Sequence, residues 1–141
     1  MVAPASSGPL DALDRLRAAA IAQSAADMSQ LYATDAVHEF PFTRPGAPAR
    51  MAGRDVIMGF ITAFWNTSPL RYERYRTIAI HQTADPDTIV VEQEVAGTSA
   101  TTGSFVLPNL LVLQARHGQI THLRDYANLL ALADALGTPV A

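Results

Sequence analysis

A chain of 141 residues is the size of one domain, long enough to bury roughly two thirds of its unfolded surface around a single core. With 49% apolar and 16% charged residues it is too hydrophobic for disorder, yet no apolar run approaches the roughly 18 residues that span a bilayer. A net charge of −3 argues against a nucleic-acid binder, and the lack of cysteine removes disulfides and thiolate metal sites. The opening "MVAPASSGPL" has neither the basic flank nor the apolar block of a signal peptide, so a single cytoplasmic domain over 1–141 is expected.

The first third reads as helical. Pro9 suits a first helical position, and Leu10, Leu13, Leu16, Ala20 and Ile21 recur at helical spacing. "SAAD", residues 24–27, has the pattern of a capping box, opening a shorter helix that buries Met28, Leu31 and Tyr32. "DAVHEFPF", residues 35–42, carries a short strand, and "TRPGAPARMAG" a Pro/Gly-rich loop. In "GRDVIMGFITAFW", Val56, Ile57, Phe60, Ile61 and Phe64 form a helical apolar stripe, with Asp55 in the first turn complementing the helix dipole.

From residue 70 the pattern changes to strands. "YRTIAIHQ", "DTIVVEQEV", "SFVLPNLLVLQ" and "QITHLRDY" are separated by turn-like breaks and predict an antiparallel meander. Arg71, Arg74 and Arg76, interleaved with Tyr72 and Tyr75, form the one basic cluster; Glu73 interrupts it, and its alternation fits a solvated strand face. "NLLALADALG" closes the pattern as a last short helix stopped by Gly137. Helices first and a curved sheet afterwards mean an α+β fold with helices on one sheet face, leaving a concave interior for a small apolar ligand.

This order, with "LYATDAVHEFPF", "GRDVIMGF", "TTGSF" and "HGQITHLRDYANLLALADALG", resembles the nuclear transport factor 2-like superfamily, and within it the SnoaL-like polyketide cyclases, ketosteroid isomerase-like proteins and phenazine-biosynthesis relatives. The resemblance implies a cone of helices packed on a strongly curved, mixed and mostly antiparallel sheet, and a homodimer through its outer face. It does not imply one activity, since the fold hosts isomerases, cyclases, dehydratases, epoxide hydrolases and proteins without catalysis.

Position by position, the ketosteroid isomerase pattern fails here. Phe40 stands where those enzymes have their aspartate base, Leu16 where they have a tyrosine donor, and Asn109 near their second aspartate. An epoxide hydrolase pattern finds Asn128 at its later aspartate, and Glu92, Gln93 and Glu94 in place of its arginine and aspartate. The cyclase-like pattern survives better, because Asp125 matches the acidic residue on the last strand that faces the cavity in that group.

Alternation along that strand puts Leu123, Asp125 and Ala127 toward the cavity and His122, Arg124 and Tyr126 away. If Phe40 faces the cavity, so does His38, while Val37 and Glu39 point out. A histidine there can carry a proton near neutral pH, and Asp125 is the natural partner to set its tautomer and raise its basicity; the competing readings are a histidine satisfied by backbone and an Asp125 bridged to Arg124. Asn109, polar within an apolar strand, either bonds backbone or offers its amide to a ligand oxygen. Tyr32 is a further donor, with Phe60, Phe64 and Trp65 as cavity or core wall. Glu92 and Glu94 share one strand face and Gln93 the other, the register deciding which looks inward.

Four scattered histidines without metal-binding spacing predict no metal, and the leading expectation is a cofactor-independent enzyme on a small hydrophobic oxygenated molecule, with Asp125 and His38 moving a proton. The alternative from another class is a non-catalytic ligand-binding or dimerisation module in which Phe40 has replaced a base.

Overall fold

The computed structural model describes residues 8–138. α1 (Pro9–Ala22) begins with proline in its first turn, where a missing N–H costs nothing, and ends on Gln23 in the left-handed conformation (φ 50°). α2 (Ala25–Leu31) is capped by Ser24, whose side chain accepts a hydrogen bond from the Asp27 amide at 3.2 Å. Tyr32, expected as the last turn of this helix, is instead the extended residue that opens β1 (Tyr32–Glu39).

The Pro/Gly-rich segment contains an element that no periodicity marks: the three-residue β2 (Arg50–Ala52), which pairs antiparallel with β1 and buries Met51. α3 (Arg54–Thr67) follows, then the antiparallel meander β3 (Leu70–Gln82), β4 (Thr88–Ser99), β5 (Gly103–Arg116) and β6 (Gln119–Tyr126), and finally α4 (Leu129–Leu136). α4 is capped at its start by Asn128 and ends on Gly137 at φ 73°. The sheet order is β2-β1-β6-β5-β4-β3, and the β1–β6 ladder is parallel, so the fold is α+β on a curled, mixed and mostly antiparallel sheet.

The helices cover the inner face. Leu13 of α1, Met28 and Leu31 of α2, and Ile57 of α3 meet Val91, Leu111, Leu113, Ile120 and Leu123 of the sheet in the main core. A second cluster, around Leu70, Val95, Phe105 and Leu107, is closed by Ala135 of α4. The helical stripes are narrower than spacing predicts: Leu10, Ile21 and Val56 are exposed, because α1 rests on the sheet through Ala12, Leu13 and Ala19, and α3 turns Ile57 rather than Val56 inward.

One irregularity in β3 positions the site. Tyr72 pairs with Gly97 and Arg74 with Ala96, so Glu73 has no partner and forms a bulge. Tyr72 and Tyr75 are three residues apart and would leave opposite faces of a regular strand; the extra residue puts both on the inner face, so the segment does not keep the regular alternation expected of a solvated strand face. Gly97 makes room for the bulge, since a Cβ there would lie 1.9 Å from the Arg71 carbonyl oxygen. Gly97→Ala is therefore expected to destabilise the protein by about 3 kcal/mol in urea unfolding. It should also shift the Tyr72 and Tyr75 ring resonances, and an unaltered unfolding midpoint would refute this role for the glycine.

Candidate active site

The inner faces of β4, β5 and β6 carry one row of polar side chains amid apolar ones. Register places Gln93 opposite Asn109, and alternation leaves Val91, Val95, Leu107, Leu111 and Leu123 around them, so that Gln93, Asn109 and Asp125 face the interior together. Glu92 and Glu94 lie on the outer face, with His81 and Arg76 across the ladder from β3. The row forms one wall of a cavity of about 240 Å³ between the sheet, α1, α3 and the start of α4. That volume sits just below the roughly 300–1,000 Å³ usual for ligand pockets and suits a molecule of one or two rings.

Asp125 is the chemical centre of this wall. Its Oδ1 accepts a hydrogen bond from the Asn109 side-chain amide at 3.2 Å. Burial among apolar walls disfavours the carboxylate and pushes its pKa up to about 6, with the Asn109 bond pulling the other way. The alternative bridge to Arg124 does not form, since alternation sends that side chain to the other face. There His122 on β6 meets Glu39 on β1 at 2.5 Å.

Parallel pairing sets His38 of β1 beside Leu123 of β6, with His38 and Phe40 facing the cavity. His38 is buried, its ring 4.8 Å from that of Phe40, which in turn lies 5.5 Å from Phe60. The partner of its Nδ1 is the Tyr32 hydroxyl at 3.3 Å, and Nε2 is buried with no partner among the described residues. His38 and Asp125 line the same cavity, yet no hydrogen bond joins them. Burial, with a smaller contribution from His122, lowers the His38 pKa to about 4, opposite to the rise that a carboxylate partner predicts. His38 is thus a neutral imidazole at pH 7.

Phe60, Phe64, Trp65, Leu123 and Tyr32 also line the cavity, as does Leu16 at the position compared with a tyrosine donor. Sequence reasoning did not place Arg17, Tyr72 and Tyr75 at the cavity, and it left the face of Gln93 open, which the register turns inward. Tyr72 and Tyr75 meet edge to face at 6.2 Å; burial raises both hydroxyl pKa values, and the field of Asp125 adds to the rise. The signal for the tyrosines is their spacing of three within an otherwise alternating strand, which marks a bulge. Among the described residues no cluster of three or more histidine, aspartate or glutamate side chains could hold a metal, and no helix is long and apolar enough to cross a membrane.

Asn109→Leu is expected to raise the Asp125 pKa above about 6, because the bond it removes favours the ionised carboxyl. Carboxyl-carbon NMR titration checks this, and an unchanged or lower midpoint would rule out the Asn109 contact as a control on that proton.

The model of the SnoaL-like domain matches residues 13–123. An uncharacterized PhzA/B-like protein of Pseudomonas aeruginosa is 32% identical over 108 residues, 76% of this chain and 74% of the relative. A candidate isomerase from Bacillus subtilis, solved by crystallography, superposes with a TM-score of 0.84 at 24% identity, covering 93% of this chain and 94% of its own. The Δ5-3-ketosteroid isomerase of a Mycobacterium superposes at 0.68 with 20% identity, over 89% of this chain and 96% of its own. The two structural likenesses bear on the fold alone.

Proposed function

We propose, from the premise that this chain belongs to the SnoaL-like domain family, that it is a cofactor-independent acid/base enzyme acting on a small, largely apolar carbonyl compound. The observation that carries the proposal is the Asp125 carboxyl: enclosed by apolar walls, held by Asn109, and brought to a pKa of about 6. A base at that value is ionised in most molecules at pH 7 and holds a transferred proton well enough to return it.

In this reading the Asp125 carboxylate takes a proton from carbon next to the carbonyl. The electron pair of the broken C–H bond passes to the carbonyl oxygen as an enolate, which the second Asn109 N–H and the Tyr32 hydroxyl receive. Return of the proton at another carbon gives isomerisation, attack of the enolate carbon on a second carbonyl gives cyclisation, and loss of a β-hydroxyl with the same proton gives dehydration. His38, neutral and bonded to Tyr32, orients that hydroxyl or passes its proton, while Phe40, Phe60, Phe64, Trp65 and Leu123 hold the substrate's apolar body away from water.

Asp125→Asn should lower kcat/KM on model ketones and dicarbonyls by roughly 10²–10⁴-fold. The wild-type profile should rise with pH through about 6, since the base must be ionised and its pKa lies there. Full activity in the variant would sink the mechanism, and ligand binding without turnover would favour a non-catalytic module.

We further propose that the protein is a homodimer through the outer face of the sheet. Exposed Ile78 and Val106 stand there beside Pro108, Leu110 and Val112, an apolar surface that a second copy would cover. Light scattering should give twice the monomer mass for the wild type and the monomer mass for Ile78→Glu with Val112→Glu; a monomeric wild type would refute the assembly.

A further inference from the structure

Gln93 is 5% exposed and lies on the cavity wall, one strand from Asn109. Its side-chain oxygen is spoken for twice: Arg17 of α1 donates to Oε1 from Nε at 3.0 Å and from Nη2 at 2.8 Å. The third arm of the guanidinium, Nη1, donates to Thr77 Oγ1 at 2.9 Å, and its carbon sits 5.4 Å from the Tyr75 ring centre. Arg17 is half-buried, and these three bonds with the Tyr75 ring fix the orientation of its fork.

Two donors on one amide oxygen have a consequence for the other end of the amide. They decide which terminus is oxygen and which is nitrogen, and they leave the NH₂ unspent, with no acceptor among the described residues. The cation behind the carbonyl also draws charge toward Oε1 and strengthens the N–H groups as donors. An amide of this kind on the wall of a largely apolar cavity is free to donate to an acceptor oxygen that enters the cavity.

We infer that Gln93 is a specificity-determining donor that receives an oxygen of the substrate, and that Arg17 is its positioning residue. Gln93 and Asp125 stand on β4 and β6, separated by β5, so their backbones are about 9–10 Å apart. The substrates selected would be flat, one- or two-ring molecules carrying an acceptor oxygen at the far end from the carbon that meets Asp125. The inference rests on the cavity being the site for a small oxygenated molecule, but not on turnover there.

The test uses binding, so that its failure is separate from failure of the Asp125 chemistry. The probes are 2-methoxynaphthalene and 2-ethylnaphthalene, which have nearly the same shape and differ in one ether oxygen that accepts hydrogen bonds and donates none. Wild-type protein is expected to bind the ether about three- to tenfold more tightly, the range of one neutral hydrogen bond. The Gln93 side-chain NH₂ resonances should shift with the ether and not with the hydrocarbon. Gln93→Glu keeps the Arg17 fork and the packing but turns the donor into an acceptor; it should erase the preference while holding the hydrocarbon within twofold. Arg17→Met should weaken the preference and broaden the Gln93 NH₂ signals through loss of one fixed orientation. Equal affinity of the wild type for the two probes, a Gln93→Glu variant that keeps the preference, or Gln93 resonances that respond alike to both would each overturn the inference.

Discussion

The fold turns on the parallel ladder between β1 and β6. The meander from β3 to β6 is local and would form a sheet by itself, but it would leave β6 an edge and the cavity open on that side. Setting β1 beside β6 closes that side. It brings Tyr32, His38 and Phe40 from early in the chain next to Leu123 and Asp125 near its end. Two short side-chain ties support it: the His122–Glu39 contact on the outer face and the bond from Gln119 to the carbonyl of Gln30 at 3.3 Å. The enclosure that raises the Asp125 pKa is thus partly a product of long-range strand pairing.

Burial then sorts the titratable groups by sign. The same apolar walls that favour the neutral carboxyl of Asp125 favour the neutral imidazole of His38, so the two move toward a shared window in which one carboxyl titrates and the histidine does not. In stability they oppose each other. Asp125, with its pKa raised, contributes most below about pH 4 and loses that contribution as pH climbs through about 6; His38, with its pKa lowered, contributes most above about 6.5 and loses it as pH falls toward about 4. The folded state meets a cost at either end.

Much of the architecture was legible in the residues themselves. The Ser24 cap, the proline opening of α1, the glycine end of α4 and the alternation that points Asp125 inward and Arg124 outward are all local rules with local physical causes. What escaped was whatever depends on neighbours in space. β2 is too short to show a period, and it exists because β1 offers it an edge. Tyr72 and Tyr75 reach the cavity through a bulge that Gly97, more than twenty residues away, permits. Arg17 sits on the first helix and Gln93 on the fourth strand, and spacing has no means of joining them. The expected contact of His38 with Asp125 does not form for a related reason: alternation along two strands puts both on one wall, while the distance between them, and the nearness of the Tyr32 hydroxyl to His38, depend on how β1 packs.

The polar row on β4, β5 and β6 has its complement on the reverse of the same strands, where Glu92, Glu94, His122 and Arg124 stand. A one-residue slip of β4 or β6 during folding would carry those groups into the apolar interior and turn Val91, Val95 or Leu123 out to water. Each such misfolded sheet would hold ionisable side chains away from solvent and forfeit the Arg17 clasp on Gln93. The outer charges therefore act as an assembly check on the inner geometry: they make no contact with the cavity, yet they leave one alignment of strands in which a chain this apolar can close around it.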